Sequence, residues 1–576
     1  MRFLATLVVA ALASGCAGIP SGGPVQKVAD DTDLGQSAVR YSPARPQQGA
    51  SPEQIVRGYL DAMLAFPASS RTASAFLTPD AAQKWTSSSR VLVYAEPDVL
   101  GPQDRINRGE TDAQPQSPVS VRLGFTVDAE LDGQGRYTRR GEATALSYTL
   151  EQVRGEWRIA NPQEGLLVNR KFFADYYRTF NLYYFDRPAR RLVPDPVHLV
   201  VGDQLATTLL TSLAGGPPGD GESTRTFVPE RSALRPSVPV SEEGVADVEF
   251  TRDLRDLDDS ARDRLSAQIV WTLRQAPDVE GVQIVGRSIA LTAGGEEVQP
   301  VQAWGGFGPS TARGRAYAVV GGAIVEIDDG TTRPLRGPWG KDARGAQFIA
   351  VSEEGIAAVL PGRDRVRLTN RDGSGARTIR GAAFIGPDWD SDGTLWLVDR
   401  VSAGTRVRVV DDGEERTIQA SGVSGLEVGS FKPSPDGARY AVTGAGADAG
   451  ELHVGRILRD AKDRVVALEA PKRVYTSAPS PRSASWSSGT ELTFLADSQS
   501  GVQVYQARID GSETMSEVAR SGSLLPDIEA DTLAVGQGAS PALYVTDRQD
   551  RLWILPPEGS WTLIKSPEVT GLSFGR

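Results

Sequence analysis

A chain of 576 residues with 40% apolar and 23% charged content is long enough for three or four packed domains, and most of it should be folded. Its formal charge of -11, with basic residues spread along the chain, argues against nucleic acid, which demands a concentrated positive surface. A single cysteine, Cys16, and two histidines, His198 and His453, leave no disulfide and nearly exclude a histidine triad, a histidine-rich metal site or a cysteine nucleophile in the body, while acidic-pair chemistry stays open.

Arg2, the apolar run Phe3 to Ala13, and Ser14-Gly15-Cys16 have the form of an export leader: charged, then apolar, then small. The run is shorter than the about 20 residues a helix needs to span a bilayer, so it reads as a signal. Ala13-Ser14-Gly15-Cys16 resembles a bacterial lipobox, with Leu12 one place before the position that usually carries leucine. That resemblance implies a signal peptide over 1–16 and a mature chain starting at Cys16, diacylated on sulfur and acylated on its new N-terminus. Several acyl chains, at roughly 0.8 kcal/mol per buried methylene, hold lastingly to membrane lipid. The alternative is a plain secretory leader with an incidental cysteine. Residues 17–50, rich in Gly, Pro, Gln, Ser and Asp, read as a flexible tether averaging roughly 30 Å end to end.

A first body is expected over 51–180. Ser51, Pro52 and Gln54 predict a capped helix start, and Ile55, Tyr59, Met63 and Phe66, with Val56, Leu60 and Leu64, share one apolar face. A second helical stretch is predicted from about Thr72 to Trp85. The period then changes to two in Val119 to Val127, Leu146 to Leu150 and Trp157 to Ile159, which predicts an antiparallel sheet. Helices followed by a sheet that closes on Gly155-Glu156-Trp157-Arg158-Ile159 resemble the NTF2-like α+β cone, whose interior here is expected to be a filled apolar core.

A second body is expected over 181–305. It opens with the aromatic strand Asn181 to Asp186 and the segment Leu192 to Pro196. Asp203 is expected to cap a helix carrying Leu205, Ala206, Leu209, Leu210 and Leu213, which Ala214-Gly215-Gly216-Pro217-Pro218 stops. Strands follow at Val245 to Phe250 and Val279 to Val285, with a helix bearing Ala261, Leu265, Ile269 and Leu273 between them. Leu210 to Pro218, Gln268 to Pro277 and Val282 to Val285 resemble the α+β GerMN domain of sporulation and germination proteins. The resemblance implies a protein or cell-wall contact module without chemistry of its own; a structural spacer is the other reading.

The third body, over 306–576, shows short alternating strands and no convincing long helix. Turns beginning at Ser352, Ser391, Ser434 and Ser487 each run through Gly into an apolar strand, at spacings of 39, 43 and 53 residues. This matches the roughly 40 to 50 residues of a four-stranded blade and predicts an all-β propeller of about six blades, five or seven being allowed. Trp396 and Trp553, inside apolar strands, are expected in blade cores.

The lipobox, Ser21 to Gln26, the Ser51 to Trp85 region, the Tyr183 to Pro196 segment, the GerMN-like part and the propeller together resemble the LpqB family of actinobacterial envelope lipoproteins. The resemblance implies a protein lipid-anchored at the extracytoplasmic face of the cell membrane. It also implies that the protein binds the extracytoplasmic region of the sensor kinase MtrB, modulating the MtrA/MtrB two-component system, envelope homeostasis and division. No enzyme, cofactor or nucleic-acid partner is implied. Asp388, Asp390, Asp392 and Asp399 copy the spacing of a calcium loop, but a solvated hairpin turn is the preferred reading. His198 and His453, each within a strand-like run, are expected to be packed or edge residues rather than ligands. Cell-wall glycan or lipid binding, and a carboxylate-dependent propeller hydrolase with two inward acids, are the rival functions.

Overall fold

The first helix begins where its capping residues put it. Gln54 N donates to Ser51 Oγ (3.3 Å) and Ser51 N donates to Gln54 Oε1 (2.8 Å), and Pro52 opens helix α1, Pro52–Ala62. In the computed structural model the described residues are 41–65, 70–95, 118–219, 223–309, 314–328, 330–460, 462–475, 480–498, 501–512, 514–516, 524–526, 528–537, 541–565 and 568–575; Cys16, the leader and Phe66 lie outside them. All the described residues belong to one contact unit, Val39–Arg576.

Ile55, Val56, Tyr59, Leu60, Met63 and Leu64 are buried, as their spacing requires. The single helix expected from Thr72 to Trp85 is instead two short ones, α2 (Arg71–Ser74) and α3 (Pro79–Lys84). Pro79 has no N–H to continue a helix, so the chain restarts there, and Thr78 Oγ1 accepts from Ala81 N as the new cap. The sheet that follows is formed by β1 (Arg90–Tyr94), β2 (Val119–Asp132), β3 (Tyr137–Val153), β4 (Glu156–Ile159) and β5 (Leu166–Asn169), in the order β4-β3-β2-β1-β5. It is antiparallel except for the β1–β5 pair. Tyr59 and Tyr148 meet edge to face at 6.0 Å, with Trp85 beside Tyr59, so aromatic side chains pack between α1 and the sheet.

Helix α4 (Arg170–Tyr176) leads into β6 (Tyr177–Asp186), which pairs along its length with β7 (Leu192–Val200). Helix α5 (Leu205–Leu213) buries Leu205, Leu209, Leu210 and Leu213. Asp203 is not its cap: Gln204 occupies that position without a side-chain bond, and the Gly202 carbonyl already satisfies Leu205 N at 2.9 Å. After β8 (Thr224–Arg225) and β9 (Val245–Phe250), helix α6 (Asp259–Leu273) starts on Asp258, whose Oδ1 accepts from Ala261 N at 2.7 Å. It leads to β10 (Gly281–Gly286), parallel to β9 and flanked by β11 (Ile289–Ala290) and β12 (Val298–Pro300). Gln268, fully buried on α6, donates through Nε2 to Tyr183 O (2.9 Å) and accepts from Phe227 N (2.5 Å). A polar residue in this core therefore ties α6 to β6 and leaves neither amide group orphaned.

From Ala316 onward the described residues form six sheets, each holding a four-stranded antiparallel run. The first joins Ala316–Val320, Ala323–Asp328 and Thr331–Pro334 to the C-terminal strand Val569–Phe574. The second runs Phe348–Val351, Ile356–Val359, Arg365–Thr369, Arg377–Arg380; the third runs Ala383–Trp389, Leu395–Val401, Gly404–Asp411, Glu414–Thr417. The fourth runs Val428–Pro433, Arg439–Gly444, Leu452–Arg459, Val465–Leu468, with Gln419–Ala420 and Lys472–Tyr475 added. The fifth runs Pro481–Trp486, Glu491–Ser498, Gly501–Arg508, Thr514–Ser516, and the sixth Ala530–Val535, Leu543–Asp547, Leu552–Leu555, Thr562–Lys565. The first strands of sheets two to six contact one another in succession, and Val569–Phe574 touches both Ala530–Val535 and Phe348–Val351. The C-terminal strand thus ties the end of this propeller-like body to its start. The four repeated Ser-to-Gly turns fall at one place in sheets two to five, between first and second strands. Trp396 lies wholly in a sheet core, whereas Trp553 is half-buried, its indole donating to Asp547 Oδ2 at 3.1 Å.

Candidate interaction site

The β6–β7 hairpin turns at Arg187 to Arg191, where Asp186 Oδ1 accepts from Arg190 N (2.7 Å) and Arg191 N (3.1 Å). This presents both arginines, and the β7 residues Pro194, Asp195 and His198, to the turns of the third, fourth and fifth sheets. Arg191 reaches Ser391 Oγ (2.7 Å) and Asp392 (2.8 Å); Arg190 reaches Asp392 (3.1 Å) and pairs with Asp463. Arg439 of the fourth sheet donates to Pro194 O at 2.8 Å. On the fifth sheet, His198 Nε2 meets Asp510 Oδ2 at 2.9 Å. In the same way Arg139 of the first body donates to Gly511 O at 2.8 Å. A Cβ on Gly489 would stand 2.9 Å from Pro194 Cγ, so the close approach of β7 requires glycine there.

The first body joins this arrangement through the β2–β3 turn. Gly135 O accepts from His198 N (2.7 Å), Gln134 Nε2 donates to Ser212 O (3.0 Å), and Arg136 donates to Asp195 Oδ2 (2.7 Å) and Gly216 O (2.8 Å). His198 is thus where three bodies meet: its ring packs on Tyr137 and Phe173 while its Nε2 pairs across to the six-sheet body.

Behind the seat lies a buried ionic network. Asp390, wholly buried, accepts from Asp392 N (3.0 Å), Thr394 N (2.9 Å), Trp396 Nε1 (3.0 Å) and Arg459 Nη2 (2.7 Å). Asp463 beside it is pushed up to about 6: burial raises it most, Arg459 and Arg190 oppose, and Asp392 and Asp186 add to the rise. Asp510 is held below the ordinary carboxylate value, because the His198 hydrogen bond and charge, with the Ser512 bonds, outweigh its burial. Burial lowers His453, against the nearby Glu451 at 3.2 Å.

The segment is a hairpin turn as preferred, but not a solvated one: Asp388, Asp390 and Asp399 are buried, and the calcium-like spacing folds into protein partnerships. Asp388 pairs with Lys432 (2.9 Å), Asp390 with Arg459, Asp392 with Arg191, and Asp399 with Arg406 (2.6 Å). Among the described residues no group of three or more His, Cys, Asp or Glu is placed to hold a metal ion. Where first strands converge, Asp388 and Lys432 line a cavity of about 20 Å³ with Ser485 and Trp486, so that carboxylate faces its own cation. Sequence reasoning placed His198 inside a strand but gave it no partner on another body, and it missed Arg190 and Arg191. The readable signal was two arginines in a turn between an aromatic strand and a proline-rich one.

These contacts define a modular protein in which two mixed α and β bodies are seated on the turns of a propeller-like body by arginine, carboxylate and histidine. Three family models match: the N-terminal domain of lipoprotein LpqB at residues 45–174, the sporulation and spore germination model at 181–286, and the LpqB beta-propeller domain at 322–570. The chain belongs to the LpqB lipoprotein family. Lipoprotein LpqB of Thermobifida fusca is 28% identical, with 97% of each chain covered, and that of Mycolicibacterium smegmatis is 28% identical over 85% of this chain and 86% of its own. Among solved structures, TolB from Acinetobacter baumannii aligns with 46% of this chain and 68% of its own at 14% identity and a TM-score of 0.35.

Proposed function

We propose that this chain is a lipid-anchored extracytoplasmic binding protein that engages the extracytoplasmic region of the sensor kinase MtrB and so modulates the MtrA/MtrB system, envelope homeostasis and division. Acylation of Cys16 supplies the anchor and 17–50 the tether, although its last residues rest on the first body, Gly49 N donating to Glu156 Oε2 at 3.0 Å and Ala50 packing on its core, and the three bodies, 51–180, 181–305 and 306–576, form one recognition platform. In this reading the first body is an NTF2-like cone and the third a closed ring of six blades. The observation that carries the binding reading is the seat itself: Arg190, Arg191, Pro194 and His198 engage three successive sheets, so the exposed loops are held in fixed relation. A preorganised surface loses less entropy on binding, and tethering raises its effective concentration at a membrane partner. The pairing of Asp388 with Lys432 favours binding over a carboxylate-pair hydrolase. Among the described residues no helix is long and apolar enough to cross a membrane, which is compatible with attachment through Cys16.

Crosslinking the anchored chain in its own membrane, followed by identification of attached proteins, tests the partnership. Recovery of MtrB, lost with Arg190→Glu and Arg191→Glu, is the expected result. Recovery of glycan or lipid alone would replace the kinase with a wall or membrane ligand.

A further inference from the structure

Between Thr331 and Gly381 the chain carries ten arginines and lysines against five aspartates and glutamates, a charge of +5 in a protein of formal charge -11. Along the sequence these cations look scattered, but five of them, Arg333, Arg365, Arg367, Arg377 and Arg380, stand on the outer strands of the first and second sheets, with Arg336 and Arg371 beside them in turns. An open groove of about 620 Å³ lies there, lined by Arg315, Arg333, Arg336 and Arg371 with Glu326 and Asp372. Arg315 is tied to Glu326, and Arg371 donates to Tyr317 Oη (3.3 Å) and Ser352 O (3.4 Å). Arg333 and Arg336 are exposed. Among the described residues no carboxylate lies within ion-pair reach of either, nor of Arg367 and Arg380 on the adjoining strands, whereas nearby Arg315 and Arg365 are both paired. The seated second body occupies turns of the third to fifth sheets, so its contacts leave this rim open.

We propose that this arginine-lined rim is a membrane-facing surface that binds the phosphate headgroups of anionic phospholipids. Guanidinium forks meet phosphate oxygens in pairs, and a cluster of unpaired cations in an otherwise acidic protein is complementary to an anionic leaflet. Each cation brought to such a leaflet adds about fivefold in affinity. The inference rests on the anchor read from Cys16, which holds the body beside lipid; the segment 17–40 can extend up to about 80 Å, enough to bring any face to the surface. Phosphate-bearing wall polymers share the chemistry, and the test separates them.

The full chain carrying Cys16→Ser, which has no acyl attachment point, is mixed with vesicles of phosphatidylglycerol and phosphatidylcholine in equal parts, with vesicles of phosphatidylcholine alone, and with soluble poly(glycerol phosphate). The expected result is salt-sensitive binding to the anionic vesicles only, weakened at least about 25-fold by Arg333→Glu with Arg336→Glu and in the same direction by the milder Arg333→Gln with Arg336→Gln. Circular dichroism reports that each variant stays folded. No binding by the folded chain, equal binding by the folded variants, or capture by the soluble polymer without capture by vesicles overturns the proposal. Mass spectrometry of Cys16 in the unsubstituted chain reads the anchor separately, so failure of the rim and failure of the anchor give different results.

Discussion

Asparagine at position 390 removes one charge from the centre of the ionic network while keeping the shape of the side chain. Asp390 receives four donors, two backbone N–H groups, the Trp396 indole and the Arg459 guanidinium, all within 3.0 Å. An asparagine has one acceptor oxygen, so its NH2 must face either the backbone pair or the indole and guanidinium. Removing one partner of a buried ion pair costs about 3–5 kcal/mol. Arg459 keeps Asp392 at 3.5 Å as a second carboxylate, which places the cost near the lower end, about 3 kcal/mol. At roughly 2–4 °C per kcal/mol for a body of this size, the melting transition of the six-sheet body falls by about 6–12 °C. Differential scanning calorimetry of the single variant, and of Asp390→Asn with Arg459→Met, reads this directly. The double variant recovers most of the loss, since with the guanidinium also removed no unpaired cation stays buried beside the amide, and Asp392 keeps Arg190 and Arg191. A shift in the single variant below about 2 °C would refute the reasoning, because the pair would then be solvated rather than buried.

Arg190→Glu with Arg191→Glu places like charges against Asp392 and Asp463 and is expected to release the β6–β7 hairpin, seen as new protease cleavage near the hairpin with the six-sheet melting transition nearly unchanged. Gly489→Ala is expected to cost about 1–3 kcal/mol in chemical denaturation, because its Cβ would press on Pro194. For Asp463, whose folded-state value is raised from 3.8 to about 6, the protonated form is the one folding favours, so its contribution is full below about 4 and lost as pH rises through about 6. The stability of the natural chain relative to Asp463→Asn should therefore rise as pH falls from 7 to 4 in urea titrations; a flat difference would contradict the placement of Asp463. Asp510 has the opposite sign, its depressed value giving stability that is lost as pH falls, and His198→Ala is expected to erase that loss.

Much of the fold was legible because local rules and tertiary packing agree. Ser51 with Gln54 set a helix start that the structure keeps, and Leu205, Leu209 and Leu213 fall on one buried face. The turns at Ser352, Ser391, Ser434 and Ser487 repeat because each opens the first hairpin of its sheet. What was misread was local chemistry overruled by a neighbour. Pro79 divides a periodic stretch, and a backbone carbonyl at Gly202 leaves Asp203 nothing to cap. The interaction site was barely legible, since His198 and Asp510 are separated by 312 positions and Arg190 and Asp463 by 273. Periodicity reports which face of an element is buried, but it carries no information on which distant turn supplies a charge. The aspartates from 388 to 399 show the same limit: their spacing copies a calcium loop, yet the fold hands each to a different arginine or lysine.

The central claim is that the second body is locked onto the propeller-like body as one platform. With Cys16→Ser the chain has no other thiol, so spin labels can be placed through Glu296→Cys on the second body and Ala470→Cys in the loop between the strands Val465–Leu468 and Lys472–Tyr475 of the fourth sheet, both exposed positions. Pulsed dipolar spectroscopy should give a single narrow distance that broadens when Arg190 and Arg191 are both changed to glutamate. A broad distribution in the otherwise natural chain would contradict the account, because the seat would then not hold.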